Sequence, residues 1–204
     1  MCRFGGSVIL PRDLTERDVR LPPVDGARPG EAGAMTAYLV RPIEPTALKE
    51  LRSVDDAGRR TVPVTDDEGG APLRCCLRRS EPGERIALVS YAPLRRWAAE
   101  TGAAPGAYDE QGPVFIHADE CAGPDGDTLP FANAHRTVRR YSAEGHILGG
   151  RLVSGHQEHS EHPEHPEQGA FEAAFREAFA DPAVALVHVR AVEYGCFLYE
   201  VRRS

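Results

Sequence analysis

The segment ALVHVRAVEYGCFLYEVRR, residues 185–203, decides how the fold is read. Two β-rich runs flank Glu193-Tyr194-Gly195, a connection that suits a hairpin rather than a crossover helix. In the first run a period of two sets His188 and Arg190 on one face, with Val187, Val189 and Ala191 on the other. A basic pair on so apolar a strand costs burial energy unless it is paired or lines a pocket. Glu193 or Glu200 can supply the partner. Cys196 follows Gly195, a position where another backbone can approach closely.

Working outward, further strands are expected in MTAYLVRPI (35–43), RRTVPV (59–64), LRCCLRR (73–79), ERIALVSYA (84–92), GPVFIHA (112–118), HRTVRRYSA (135–143) and ILGGRLV (147–153). DDEGG, SEPGE and SAEG separate several of them as turns. EPTALKELRSVDD predicts a helix, with Pro45 near its start and Leu48, Leu51 and Val54 at helical spacing. GAFEAAFREAFADP predicts a second, with Phe171, Phe175 and Phe179 on one face and a stop at Asp181-Pro182. Strands cluster and are not interleaved with helices. The expected fold is therefore α+β, a largely antiparallel curled, half-barrel-like sheet with two main helices.

The chain of 204 residues is 41% apolar and 27% charged, as expected for a single soluble domain with a sizeable core. Its formal net charge of −7 argues against nucleic acid as a partner. No apolar run approaches the length of a membrane span, and the N-terminus lacks the features of a signal peptide. The five cysteines are scattered, so reduced thiols and a cytoplasmic location are expected. No GxGxxG or P-loop follows a strand, and no cofactor is expected. Residues 1–34, with LPPVDGARPGEAGA, are expected to be a flexible extension ahead of a domain over 35–204, and Met35 is a candidate natural start.

A His-rich insertion is expected to be disordered over 155–168. GHQEHSEHPEHPEQ spaces His156, His159, His162 and His165 three apart, and Pro163 and Pro166 oppose a helix. A polyproline II helix would align the four imidazoles, but such an array has no preorganised geometry for a metal.

Chemistry points elsewhere. In GPVFIHADEC, residues 112–121, His117 shares a face with Phe115, opposite Ile116, and Cys121 lies in the loop just beyond. A thiolate needs a neighbouring base or cation, which His117 can supply. The plainer reading is a half-buried histidine and an inert cysteine. If LRCCLRR is a strand, Cys75 and Cys76 face opposite ways and Arg74 shares a face with Cys76. His117, Cys121, Cys76, His188 and Cys196 include enough donors for a zinc ion, but no pair has standard ligand spacing, so no metal site is expected.

YLVRPIEP, PLRCCLRR, GERIALVSYAP, YDEQGPVFIHADEC and VHVRAVEYGCFLYEVRR together make the chain resemble a bacterial family, the domain-of-unknown-function family 1203, from about Tyr38 to Arg202. The resemblance implies that Arg74, Cys76, Gly112, Pro113, His117, Cys121, His188, Arg190, Gly195 and Cys196 belong to the family pattern. It implies no mechanism. Two readings stay open. One is a small enzyme with His117, Cys121 and His188 as catalytic groups, and with Arg74, Cys76, Arg190 and Cys196 holding a small anionic substrate. The other is a non-catalytic module that binds a small ligand.

Overall fold

The computed structural model describes residues 38–126, 129–154 and 166–204. The expected extension over 1–34 and residues 155–165 of the expected insertion lie outside them. Strands β1 (Tyr38–Arg41), β5 (Arg136–Tyr141), β6 (Ile147–Val153), β7 (Leu186–Ala191) and β8 (Phe197–Arg203) form a sheet in the order β1-β8-β7-β5-β6. A smaller sheet has the order β2-β3-β4, from β2 (Val64–Asp66), β3 (Glu84–Tyr91) and β4 (Gly112–His117). Every strand pair in both is antiparallel. With helices α1 (Pro45–Leu51), α2 (Pro93–Thr101) and α3 (Pro166–Ala180), the fold is α+β, and neither sheet closes on itself.

The 185–203 segment forms the β7–β8 hairpin, in which Val187 lies opposite Val201 and His188 opposite Glu200. Gly195, at φ +65°, supplies the left-handed step that the connection needs. Alternation then sorts the side chains. Val187 and Val189 pack with Phe171, Phe175 and Phe179 of α3 into one core. Leu186, on the other face, joins Leu94, Trp97 and Tyr141 in a second. A third core lies between α1 and the small sheet, where Leu48 and Leu51 meet Ile86, Val89, Val114 and Ile116. No helix among the described residues is long and apolar enough to cross a membrane.

Local structure departs from expectation in three places. Two helices are expected and a third forms: Pro93 sits at the start of α2, Leu94 and Trp97 are buried, and Gly102 ends it at φ +77°. Only Val64 of RRTVPV enters a strand, β2. The third departure bears on function. LRCCLRR is a turn, not a strand: Leu77 N–H donates to the Leu73 carbonyl at 3.0 Å, Leu73 N–H to the Arg78 carbonyl at 2.8 Å, and Leu77 has a positive φ of 59°. Leu73 and Leu77 are four apart, the spacing of one helical turn. The turn docks on β4 through a hydrogen bond from Arg74 N–H to the Phe115 carbonyl.

Candidate functional site

The tight turn removes the alternation that would have separated Cys75 from Cys76. Their sulfurs lie 4.0 Å apart, and His117 at the end of β4 turns Nδ1 toward both, at 3.3 Å from Cys75 and 3.7 Å from Cys76. Cys121 Sγ completes the group, whose four donor atoms all lie within 4.8 Å of one another. Cys75 and Cys76 are buried, while His117 and Cys121 are half-buried.

The surroundings are charged and ordered. Backbone N–H of His117 donates to Cys75 Sγ at 3.2 Å. On its far side the imidazole places Nε2 3.4 Å from Glu84 Oε1, and Glu84 receives two hydrogen bonds from Arg78, at 2.6 and 3.0 Å. Those bonds hold the Glu84 carboxyl down at about 2, below the usual carboxylate range. The hydrogen bond from Cys75 draws the Cys76 thiol down, helped by the Arg78 amide and the positive charge nearby, and that same contact together with burial pushes Cys75 up.

Arg74, the first residue of the Arg-Cys-Cys run, points away from this group into a cavity of about 720 Å³. Leu88, Phe115, Phe131 and Leu198 form apolar walls, Arg74, Arg79 and Arg136 bring positive charge, and Glu193, Tyr194 and Cys196 come from the β7–β8 connection. Arg74 is 3% exposed and Arg136 6%. Neither has a carboxylate within ion-pair distance among the described residues. Arg74 donates from Nε to the Phe197 carbonyl at 2.8 Å and from its terminal nitrogen to the Pro72 carbonyl. Arg136 donates to the carbonyls of Phe131 and His135, at 3.0 and 2.9 Å. Burial lowers the Arg74 guanidinium to about 10, opposed by Cys196 and reinforced by repulsion from Arg136. Arg136 is lowered by burial too, opposed chiefly by the charge of Glu193. Two buried guanidiniums beside an apolar cavity are costly to desolvate unless their charge is met by a hydrogen-bonding or ionic partner.

His188 and Arg190 have other company. His188 is fully buried, with its Nε2 3.4 Å from Glu200 and its ring against Tyr141 and Phe197, at centroid distances of 4.7 and 5.0 Å. Arg190 donates to the Gly195 carbonyl at 2.8 Å and pairs with Glu110 at 3.1 Å. The sequence-derived candidates thus separate into three groups: Cys76, His117 and Cys121; Arg74 and Cys196; and His188 and Arg190, each paired with its own glutamate. Two residues the sequence did not single out join them. A strand reading of LRCCLRR sends Cys75 to the opposite face, and Arg136 lies in a basic run that carries no motif.

Burial lowers the His188 imidazole, partly opposed by Glu200. Burial raises Glu200, but His188 and Arg202 outweigh it and hold the carboxyl low. A histidine depressed in the folded state binds its proton more readily when unfolded, so stability is present above the ordinary pKa of 6.5 and falls as pH drops below it. Urea midpoints are therefore expected to fall between pH 7 and pH 5, and His188→Gln should flatten that slope. An equal slope in both proteins would show that His188 is not the group responsible.

The family described as "Protein of unknown function (DUF1203)" matches residues 70–203. The chain belongs to the DUF1203 family. The DUF1203 match begins just ahead of the Cys-Cys turn and includes every group above, while β1, α1 and β2 precede it. No curated protein and no solved structure matches the chain.

Proposed function

We propose that this DUF1203 protein binds a small amphipathic anion, a carboxylate or sulfonate on an apolar body, in the cavity between the β7–β8 connection, β4 and the Cys-Cys turn. One observation carries the reading: Arg74 and Arg136 are buried at the wall of an apolar cavity with only backbone carbonyls as hydrogen-bond partners, Glu193 being the carboxylate whose charge reaches Arg136. A ligand carboxylate bridging the two guanidiniums would replace mutual repulsion with charge-assisted hydrogen bonds, each contributing about 1.5–3 kcal/mol. A volume of about 720 Å³ falls in the range of small-molecule pockets. The free thiols Cys75, Cys76, Cys121 and Cys196 suit a reducing compartment, and we place this activity in the bacterial cytoplasm.

The probe is 8-anilinonaphthalene-1-sulfonate, titrated into native protein and displaced by octanoate and phenylacetate. Saturable one-to-one binding that both carboxylates reverse is expected, and bound ligand should shield Cys196, on the cavity wall, from iodoacetamide. Probe binding that does not saturate, or that leaves Cys196 alkylation unchanged, would remove the reading. The enzyme alternative requires that the ligand be turned over. A binding module would return the displaced carboxylate chemically unchanged, which mass spectrometry of the released ligand reads.

A further inference from the structure

The group Cys75, Cys76, His117 and Cys121 takes no part in the cavity, and its chemistry is different. We infer that Cys75 Sγ, Cys76 Sγ, Cys121 Sγ and His117 Nδ1 bind one Zn²⁺ ion in a closed, structural site. A tetrahedral zinc ion with bonds of about 2.3 Å to sulfur and about 2.0 Å to nitrogen sets its donors roughly 3.5–3.8 Å apart. The separations here are 4.0 Å between the first two sulfurs and 3.3 and 3.7 Å from them to the imidazole nitrogen, with Cys121 inside the same 4.8 Å limit.

Donor type points the same way. Three sulfurs and one imidazole form a soft set that suits zinc over magnesium or calcium. His117 presents Nδ1 to the sulfurs and places Nε2 3.4 Å from both Glu84 Oε1 and Arg78 Nη2; with a metal on Nδ1, Nε2 would carry the proton and donate to Glu84, the carboxylate–histidine–metal arrangement that fixes tautomer and ring orientation. The His117 amide donating to Cys75 Sγ stabilises a thiolate, and the Arg78 guanidinium, held by Glu84, offsets the charge of a three-thiolate site. Metal uptake releases the thiol protons to solvent and forms three zinc–sulfur bonds and one zinc–nitrogen bond, with no redox change. A disulfide fits less well, since Cys75 and Cys76 stand 4.0 Å apart where a bond needs about 2.05 Å.

Four protein donors leave no open position, which separates this site from a catalytic zinc. Its effect is mechanical: it ties the Cys-Cys turn to the end of β4 and to the loop carrying Cys121. The sequence conceals it because adjacent cysteines match no standard ligand spacing, and Cys121 reaches the others only through the course of β4.

The test uses full-length protein, freed of metal by a chelator under reducing conditions and titrated with Co²⁺ and then Zn²⁺. One Co²⁺ per chain is expected, with tetrahedral ligand-field bands and thiolate-to-cobalt charge transfer that Zn²⁺ abolishes. Cys75→Ser with Cys76→Ser should remove the charge-transfer band, and Glu84→Gln should weaken zinc affinity about 10-fold or more while keeping it. Deleting residues 156–166 separates this site from the histidine tract, which has no sulfur, and should leave the spectrum unchanged. Absence of the charge-transfer band in the wild-type titration, or its loss on the tract deletion, overturns the inference. So does a spectrum that survives the double serine variant. Anion binding at the cavity is read separately by the fluorescent sulfonate, so either proposal can fail alone.

Discussion

Phe175→Ala is expected to destabilise the protein by about 4 kcal/mol, the cost of removing a fully buried phenylalanine ring and leaving a cavity. Phe175 is 0% exposed at the centre of α3. Its ring meets Phe171 on the same helix at 6.3 Å and Tyr38 of the edge strand β1 edge-on at 5.2 Å. Truncation therefore loosens the helix and the edge strand together, since the surrounding side chains come both from α3 and from the sheet. Leu152→Ala, at an exposed position on β6, is the control and should stay within about 0.5 kcal/mol. Urea unfolding of both variants reads the difference. A Phe175 loss under about 1 kcal/mol would mean that α3 is not docked on the sheet as described.

The phenylalanine stripe was legible because each residue repeats every four along one helix, and nothing distant is needed to interpret it. The β7–β8 hairpin was legible for a similar reason: both strands and their connection are contiguous, and alternation alone sends Val187 and His188 to opposite faces. Legibility failed where local pattern and tertiary docking compete. Leu-Arg-Cys-Cys-Leu contains enough strand-forming residues to pass for a strand. Yet its leucines are four apart, and its backbone bonds close the loop between Leu73 and Arg78. That one misreading separated Cys75 from Cys76 and placed Arg74 beside Cys76, whereas the turn sends the guanidinium and the thiols to different places. α2 has a weak sequence signal because PLRRWAAET follows a strand directly and buries only Pro93, Leu94 and Trp97. The cavity is not legible in the sequence, since its walls come from β3, β4, β5, β7, β8 and three connections far apart in the chain.

Arg74→Met is expected to lower affinity for the sulfonate probe about 100-fold, with a stability change of about 1 kcal/mol or less. The affinity figure follows from losing roughly 3 kcal/mol of charge-assisted hydrogen bonding, at 1.4 kcal/mol for each factor of ten. The stability figure is small because two contributions oppose each other. Methionine keeps most of the aliphatic stem and its packing, but it strands the Phe197 and Pro72 carbonyls, which costs about 1–3 kcal/mol. Removing the guanidinium also relieves a buried, uncompensated charge and its repulsion from Arg136, which restores a similar amount. This opposition is what makes the variant diagnostic. If Arg74 serves only to brace the turn against β8, substitution lowers the unfolding midpoint sharply and leaves probe affinity unchanged in the folded fraction. If it is held charged and unpaired for an anion, affinity falls while the midpoint barely moves, and saturating octanoate stabilises the wild type far more than the variant. Arg136→Met should reproduce the affinity loss, and the double variant should lose little beyond either alone, because one ligand anion is shared between both guanidiniums.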